Sequence, residues 1–87
     1  MTEQRRLKHG ERHRWRVKAH YPFGLTAEAV DMPDVVGTID LIYISSDKRV
    51  GEPKDFPPVG QIVDAKVLGY MPNGELRLTM RPEDLDQ

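Results

Sequence analysis

The chain has 87 residues, 31% of them charged, with a formal net charge of −1, which suffices for one compact domain but not for two. It contains no cysteine, so neither a disulfide nor a thiolate metal site can stabilise its core. The first residues lack the pattern of a secretory signal, and no stretch approaches the ~20 apolar residues of a membrane span, so we expect a cytoplasmic protein without membrane contact.

The charges are distributed unevenly along the chain. Residues 1–20 contain seven basic and two acidic residues, whereas residues 21–87 contain six basic and twelve acidic residues. A basic segment of this kind favours a polyanionic partner, although a solvated tail that only keeps the protein soluble has the same composition. We therefore expect a basic, flexible N-terminal arm at residues 1–13 and an acidic C-terminal tail at residues 83–87.

The first predicted strand covers residues 14–23, where apolar and basic or polar side chains alternate strictly. One side carries Trp15, Val17, Ala19, Tyr21 and Phe23, and the other carries Arg14, Arg16, Lys18, His20 and Pro22. Tryptophan in such a strand is expected in the core or at its rim rather than as a base-stacking platform. The basic positions recur about every 7 Å, comparable to the phosphate spacing of a nucleic-acid strand.

Four further strands follow from β-branched and aromatic residues bounded by turn residues. They cover residues 25–30, 38–45, 62–70 and 76–80, with a loop at residues 31–34 and a long connection to Pro58 that holds at most one helical turn. The Pro72-Asn73-Gly74 turn predicts a hairpin of the last two strands, and Pro82 predicts a frayed end or a short helical turn. Five short strands with almost no helix predict an all-β barrel.

Three segments of the chain carry family motifs in order. They are Val17 through Phe23-Gly24, then Leu41-Ile42-Tyr43-Ile44-Ser45, then Val59-Gly60-Gln61 through Ala65-Lys66-Val67-Leu68 to Gly74-Glu75-Leu76-Arg77-Leu78-Thr79-Met80-Arg81. Together they resemble the S1 RNA-binding domain family. The resemblance implies a five-stranded Greek-key OB-fold barrel at residues 14–82, whose outer face on the second and third strands binds single-stranded RNA by stacking bases on aromatic side chains.

The resemblance also assigns roles to individual positions. Phe23 matches the first stacking aromatic, whereas Thr26 stands where many members place a second one. Tyr43 stands where the family usually has histidine, and a phenol ring can stack on a base and hydrogen-bond a phosphate. Met71 and Glu75 occupy positions where members often place an aspartate and a basic residue.

The sequence therefore predicts an RNA-binding site without a cofactor. Its expected residues are Phe23, Tyr43, Arg14, Arg16, Lys18, His20, Lys66 and Arg77. The competing interpretation of His20 is a structural histidine, whose ring nitrogens bond to other groups of the protein rather than to a ligand. His9, His13 and His20 lack the further ligands of a metal site, and no phosphate-binding loop or paired acid and base indicates an enzyme.

Two hypotheses of different classes remain. In the first, the chain is a monomeric module that binds single-stranded RNA with low sequence specificity, the basic arm neutralising phosphates. In the second, the same barrel has lost RNA binding and is an adaptor for a ribosomal, transcription or RNA-processing protein. The residues at positions 26, 71 and 75 favour the second hypothesis.

Overall fold

The computed structural model describes residues 7–45 and 51–86. Within them the chain forms five β-strands, two α-helical turns and one 3-10 turn. In chain order these are β1 (Arg12–Tyr21), β2 (Gly24–Ala29), β3 (Met32–Asp40), α1 (Leu41–Ile44), the 3-10 turn (Pro53–Asp55), β4 (Ile62–Tyr70), β5 (Leu76–Thr79) and α2 (Pro82–Leu85). No helix of this part of the chain is long and apolar enough to cross a membrane. The predicted all-β fold class is confirmed.

The five strands close into a barrel in the order β1-β2-β3-β5-β4. Four of the strand pairs are antiparallel, including the predicted hairpin of β4 and β5, and β3 pairs with β5 in parallel. Closure gives each strand a partner on both sides, so no strand is left with a free edge. This is the connectivity of the expected OB fold.

Apolar side chains from all five strands fill the barrel. The buried set comprises Leu7, Trp15, Val17, Leu25, Ala27, Ala29, Ile39, Ile44, Phe56, Val63, Ala65, Val67, Leu76 and Leu78. Trp15 is fully buried, and its indole Nε1 donates a hydrogen bond to the Ala65 carbonyl oxygen at 3.3 Å. This bond satisfies the polar atom that a buried tryptophan carries, so Trp15 is a core residue and not a surface platform.

The strict alternation predicted for residues 14–23 is wrong beyond Val17. A β-bulge lies in β1 at Lys18, because Val17 pairs with Ala27 whereas Ala19 pairs with the preceding residue, Thr26. One extra residue in a strand exchanges the two faces for every position that follows. As a result, Tyr21 is exposed on the outer surface although the alternation placed it beside the core residues.

The predicted strand at residues 38–45 and the loop before it are also corrected. β3 begins at Met32 and ends at Asp40, and residues 41–44 form the helical turn α1. The Leu41 amide donates to the Phe23 carbonyl oxygen at 2.8 Å, and Ile44 is buried against the core. These tertiary contacts outweigh the β propensity of the isoleucine-rich segment.

The N-terminal residues that the structure describes are attached to the barrel. Leu7 is buried, and its amide donates to the Tyr70 hydroxyl at 3.1 Å. The Gly10 amide donates to the Val67 carbonyl oxygen at 2.8 Å, and β1 begins two residues before the predicted domain boundary. Residues 1–6 of the predicted arm lie outside the described residues, so the flexibility of that part stays a prediction.

Candidate nucleic-acid interface

Two exposed aromatic rings stand at the turn that joins β1 to β2. The Tyr21 and Phe23 rings are stacked, with centroids 5.2 Å apart and an angle of 13° between their planes. Phe23 is 57% exposed and Tyr21 is 39% exposed. Gly24 fixes this turn against β3, because a Cβ atom at that position would collide with the Ile39 carbonyl oxygen.

Tyr43 lies next to this turn on α1. The Phe23 carbonyl oxygen accepts the hydrogen bond of Leu41, the first residue of α1, so both segments are at the same end of the barrel. The Arg77 guanidinium lies over the Tyr43 ring, 5.5 Å from its centre. A guanidinium in this position is attracted to the ring face and limits its orientation.

Arg77 is also bound by an acidic residue. Its guanidinium forms an ion pair with the Asp40 carboxylate at the end of β3, and the Arg77 Nη1 atom lies 3.7 Å from the Met71 sulfur. Glu75 contributes a second carboxylate nearby, which accepts a hydrogen bond from the Thr38 hydroxyl at 2.6 Å. The two acids partly offset the positive charge that Arg77 brings to this surface.

A second guanidinium contacts Tyr43 from the start of α2. Arg81 lies 4.9 Å from the ring centre, and its Nε atom donates to the Asp84 carboxylate at 2.8 Å. The hydrogen bonds from Arg81 and from the Thr79 hydroxyl lower the pKa of Asp84 below its ordinary value of 3.8. The same contact with Asp84 raises the pKa of Arg81. Sequence reasoning missed Arg81, because only the fold brings α2 to Tyr43.

Lys66, like Arg81, forms a hydrogen bond with Asp84 of α2. It lies on β4, opposite Thr79 of β5, and its Nζ atom donates to the Asp84 backbone carbonyl oxygen at 3.1 Å. Lys66 therefore lies on the α2 side of the surface, whereas Arg77 lies at Tyr43.

The basic row predicted on the first strand is present as far as the bulge. Arg14, Arg16 and Lys18 are all exposed on β1. Cross-strand neighbours are acidic at two positions, since Arg14 pairs with Asp64 of β4 and Arg16 pairs with Glu28 of β2. The row is therefore a strip of exposed cations flanked by carboxylates.

His20 does not continue this row. The bulge places it opposite the core residue Leu25, and its Nε2 atom donates to the Pro57 carbonyl oxygen at 2.6 Å. Its ring also meets the buried Phe56 ring edge to face, with centroids 5.5 Å apart. This geometry supports the competing interpretation, a histidine satisfied by protein contacts.

Comparison with known proteins agrees with this architecture. No family model matches the sequence, and no curated protein sequence matches it either. The crystal structure of an a/eIF2alpha-aDim2p-rRNA complex from Pyrococcus horikoshii OT3 contains a similar chain, with a TM-score of 0.79 and 26% identity over 88% of this chain. The intact alpha subunit of aIF2 from Pyrococcus abyssi is similar over 92% of this chain, with a TM-score of 0.78 and 25% identity.

The barrel has an S1-like OB fold. GSP13 from Bacillus subtilis has the same fold at 17% identity, with a TM-score of 0.72 over 86% of this chain. The S1-like barrel corresponds to only 46%, 31% and 56% of the three similar chains, in the order given. Their similarity is therefore to one part of a longer protein in each case.

Proposed function

We propose that this S1-like barrel is a nucleic-acid-binding module and not an enzyme, and that its ligand is single-stranded RNA. The observation that carries the proposal is the exposed Phe23 ring, placed at the same end of the barrel as Tyr43 and its covering guanidinium. Flat rings beside a cation suit unpaired nucleotides, since each nucleotide has a base whose face stacks and a phosphate that attracts positive charge. A monomeric, cytoplasmic protein stays our prediction.

The similar chains support a nucleic-acid ligand. One of them belongs to a complex that contains rRNA. For this chain, we assign Phe23 to base stacking, and we assign Tyr43 to a second base that stacks on the Arg77 guanidinium lying over its ring. The exposed row of Arg14, Arg16 and Lys18, with Lys66 near α2, is assigned to phosphates. Stacking and phosphate contacts do not read base edges, so the binding has low sequence specificity.

The direct test is fluorescence anisotropy with a labelled, mixed-sequence single-stranded RNA at low salt and near physiological salt. Phe23→Ala should weaken binding by about fivefold or more, since stacking on one aromatic contributes ~1–3 kcal/mol per base. Val59→Ala is the matched control, because Val59 is an apolar residue that is 60% exposed. The proposal fails if the wild-type protein does not bind at low salt, or if both variants lose the same affinity.

One observation favours an adaptor that binds protein. The carboxylates of Asp40 and Glu75 lie on the surface where RNA would have to approach, and the first neutralises Arg77. A protein partner with basic side chains would meet these acids favourably. Such a partner, of the ribosomal, transcription or RNA-processing class, should stay bound in a pull-down after nuclease treatment, whereas an RNA-bridged one should be lost.

A further inference from the structure

We propose that Tyr21 and Phe23 act as one preassembled platform for a single unpaired nucleobase, in which Tyr21 supports the Phe23 ring and presents it to the base. The proposal rests on the proposed function and names a residue that the sequence did not assign to the site. The near-parallel rings, 5.2 Å apart at their centres and inclined by 13°, carry it.

The backbone explains why both rings face solvent. The bulge in β1 turns Tyr21 outwards, and Tyr21 pairs with Gly24 across a turn made of Pro22 and Phe23. Because β3 packs too closely on Gly24 to admit a Cβ atom, the turn is held in place. Two large apolar surfaces are therefore fixed in an exposed position, where burial against other protein atoms does not account for them.

Beside the two rings, the outer surface of β1 and β2 is formed by short side chains. Tyr21 has a glycine as its cross-strand partner, and the next pair on the outer face, beyond the inward-facing pair of His20 and Leu25, is Ala19 with Thr26. Thr26 in turn pairs with Thr38 of β3, so a row of short side chains crosses three strands. A nucleobase stacked on the platform would find room above Ala19 and Thr26, whereas the Glu75 carboxylate, bonded to the Thr38 hydroxyl, limits the room on the third strand.

The centroid spacing decides how a base would bind. Rings 5.2 Å apart leave no room for a planar base between them, so the base stacks on an open face of the pair rather than intercalating. Contact with Tyr21 limits the rotation of the Phe23 side chain before RNA arrives. Less side-chain freedom is then lost on binding, which increases the affinity.

The experiment measures the binding of single-stranded RNA that carries one fluorescent 2-aminopurine base. Tyr21→Ala should weaken binding at least about fivefold and reduce the quenching of the probe, whereas Tyr21→Phe should bind within about twofold of wild type. Tyr21→Leu keeps apolar bulk without a flat ring and should behave like the alanine variant. Trp15 emission and the urea midpoint confirm that each variant is folded.

The outcomes separate this inference from the proposed function. If Phe23→Ala weakens binding and Tyr21→Ala does not, the supporting role of Tyr21 is refuted while RNA binding at Phe23 stands. If Tyr21→Phe loses as much affinity as Tyr21→Ala, the hydroxyl group and not the stacked ring is responsible, and the platform is refuted. If the wild-type protein binds no RNA, both proposals fail together.

Discussion

Arg77 and Asp40 link β5 to the end of β3 through an ion pair beside Tyr43. Both side chains are about one-third exposed, so solvent screens the pair and its contribution to stability is about 0.2–1 kcal/mol. The ion pair also affects binding, because the same carboxylate competes with any phosphate for the Arg77 guanidinium. The ion pair therefore sets the charge of the proposed interface.

Asp40→Asn should strengthen RNA binding by about fivefold at low salt. The reason is that two unit charges ~4 Å apart in water interact by ~1 kcal/mol, and the variant removes the repulsion between Asp40 and a phosphate. The gain should shrink as salt is raised. Anisotropy titrations of this variant and of Asp55→Asn, which removes the same charge from the 3-10 turn, provide the comparison. Weaker binding by Asp40→Asn would show instead that Asp40 positions Arg77 for the ligand.

Replacing Arg14 and Arg16 together by glutamine should reduce the salt dependence of RNA binding. Each phosphate contact with a single strand contributes ~0.7 to the slope of log K against log salt, so the double variant should lower the slope by about 1.4. Lys54→Gln is a single-charge control on the 3-10 turn, where Lys54 pairs with Glu52. An unchanged slope in the double variant would show that Arg14 and Arg16 do not contact the phosphates of the RNA.

Asp84 should make stability depend on pH at the acidic end. Because hydrogen bonds from Arg81 and Thr79 lower its pKa in the folded state, its contribution is present above the unfolded pKa and is lost as the pH falls through the folded value. Urea unfolding should therefore find Asp84→Asn less stable than wild type near neutral pH, with the difference closing below about pH 4. A difference that stays constant with pH would contradict this account, and Asp86→Asn controls for the lost charge.

Gly37→Ala should destabilise the barrel by about 1–3 kcal/mol, as is typical of overpacking. An added Cβ atom would lie 2.7 Å from Cδ1 and 2.9 Å from Cγ of Leu78, a fully buried core residue. Gly51→Ala is the matched control, since no atom lies within 4 Å of its added Cβ atom. Urea midpoints measure both, and equal stability of the two variants would show that the core yields at Leu78.

The positions of β2, β4 and β5 and the barrel class could be predicted from local patterns, because alternation, β-branched residues and turn residues act over a few neighbours. The exposure of Phe23 and the α1 position of Tyr43 could not. A strand pattern does not distinguish a bulge from continuous pairing. The alternation therefore placed Tyr21 on the core face and His20 on the outer face, and the bulge reverses both. Likewise, residues 41–44 have strand composition but form a helical turn, whose first residue, Leu41, donates to the Phe23 carbonyl oxygen.

By itself, the sequence determined the all-β class, the placement of Trp15 in the core or at its rim, the hairpin of β4 and β5 and the exposed cations of β1. Tertiary structure alone decided which groups meet: Tyr21 with Phe23, Arg77 with Asp40, and Arg81 with Tyr43. Two of these three contacts join residues far apart in the chain. The third contact depends on a bulge that forms where β1 pairs with β2. The strand pairing and the closure of the barrel therefore had to be known before the site could be described.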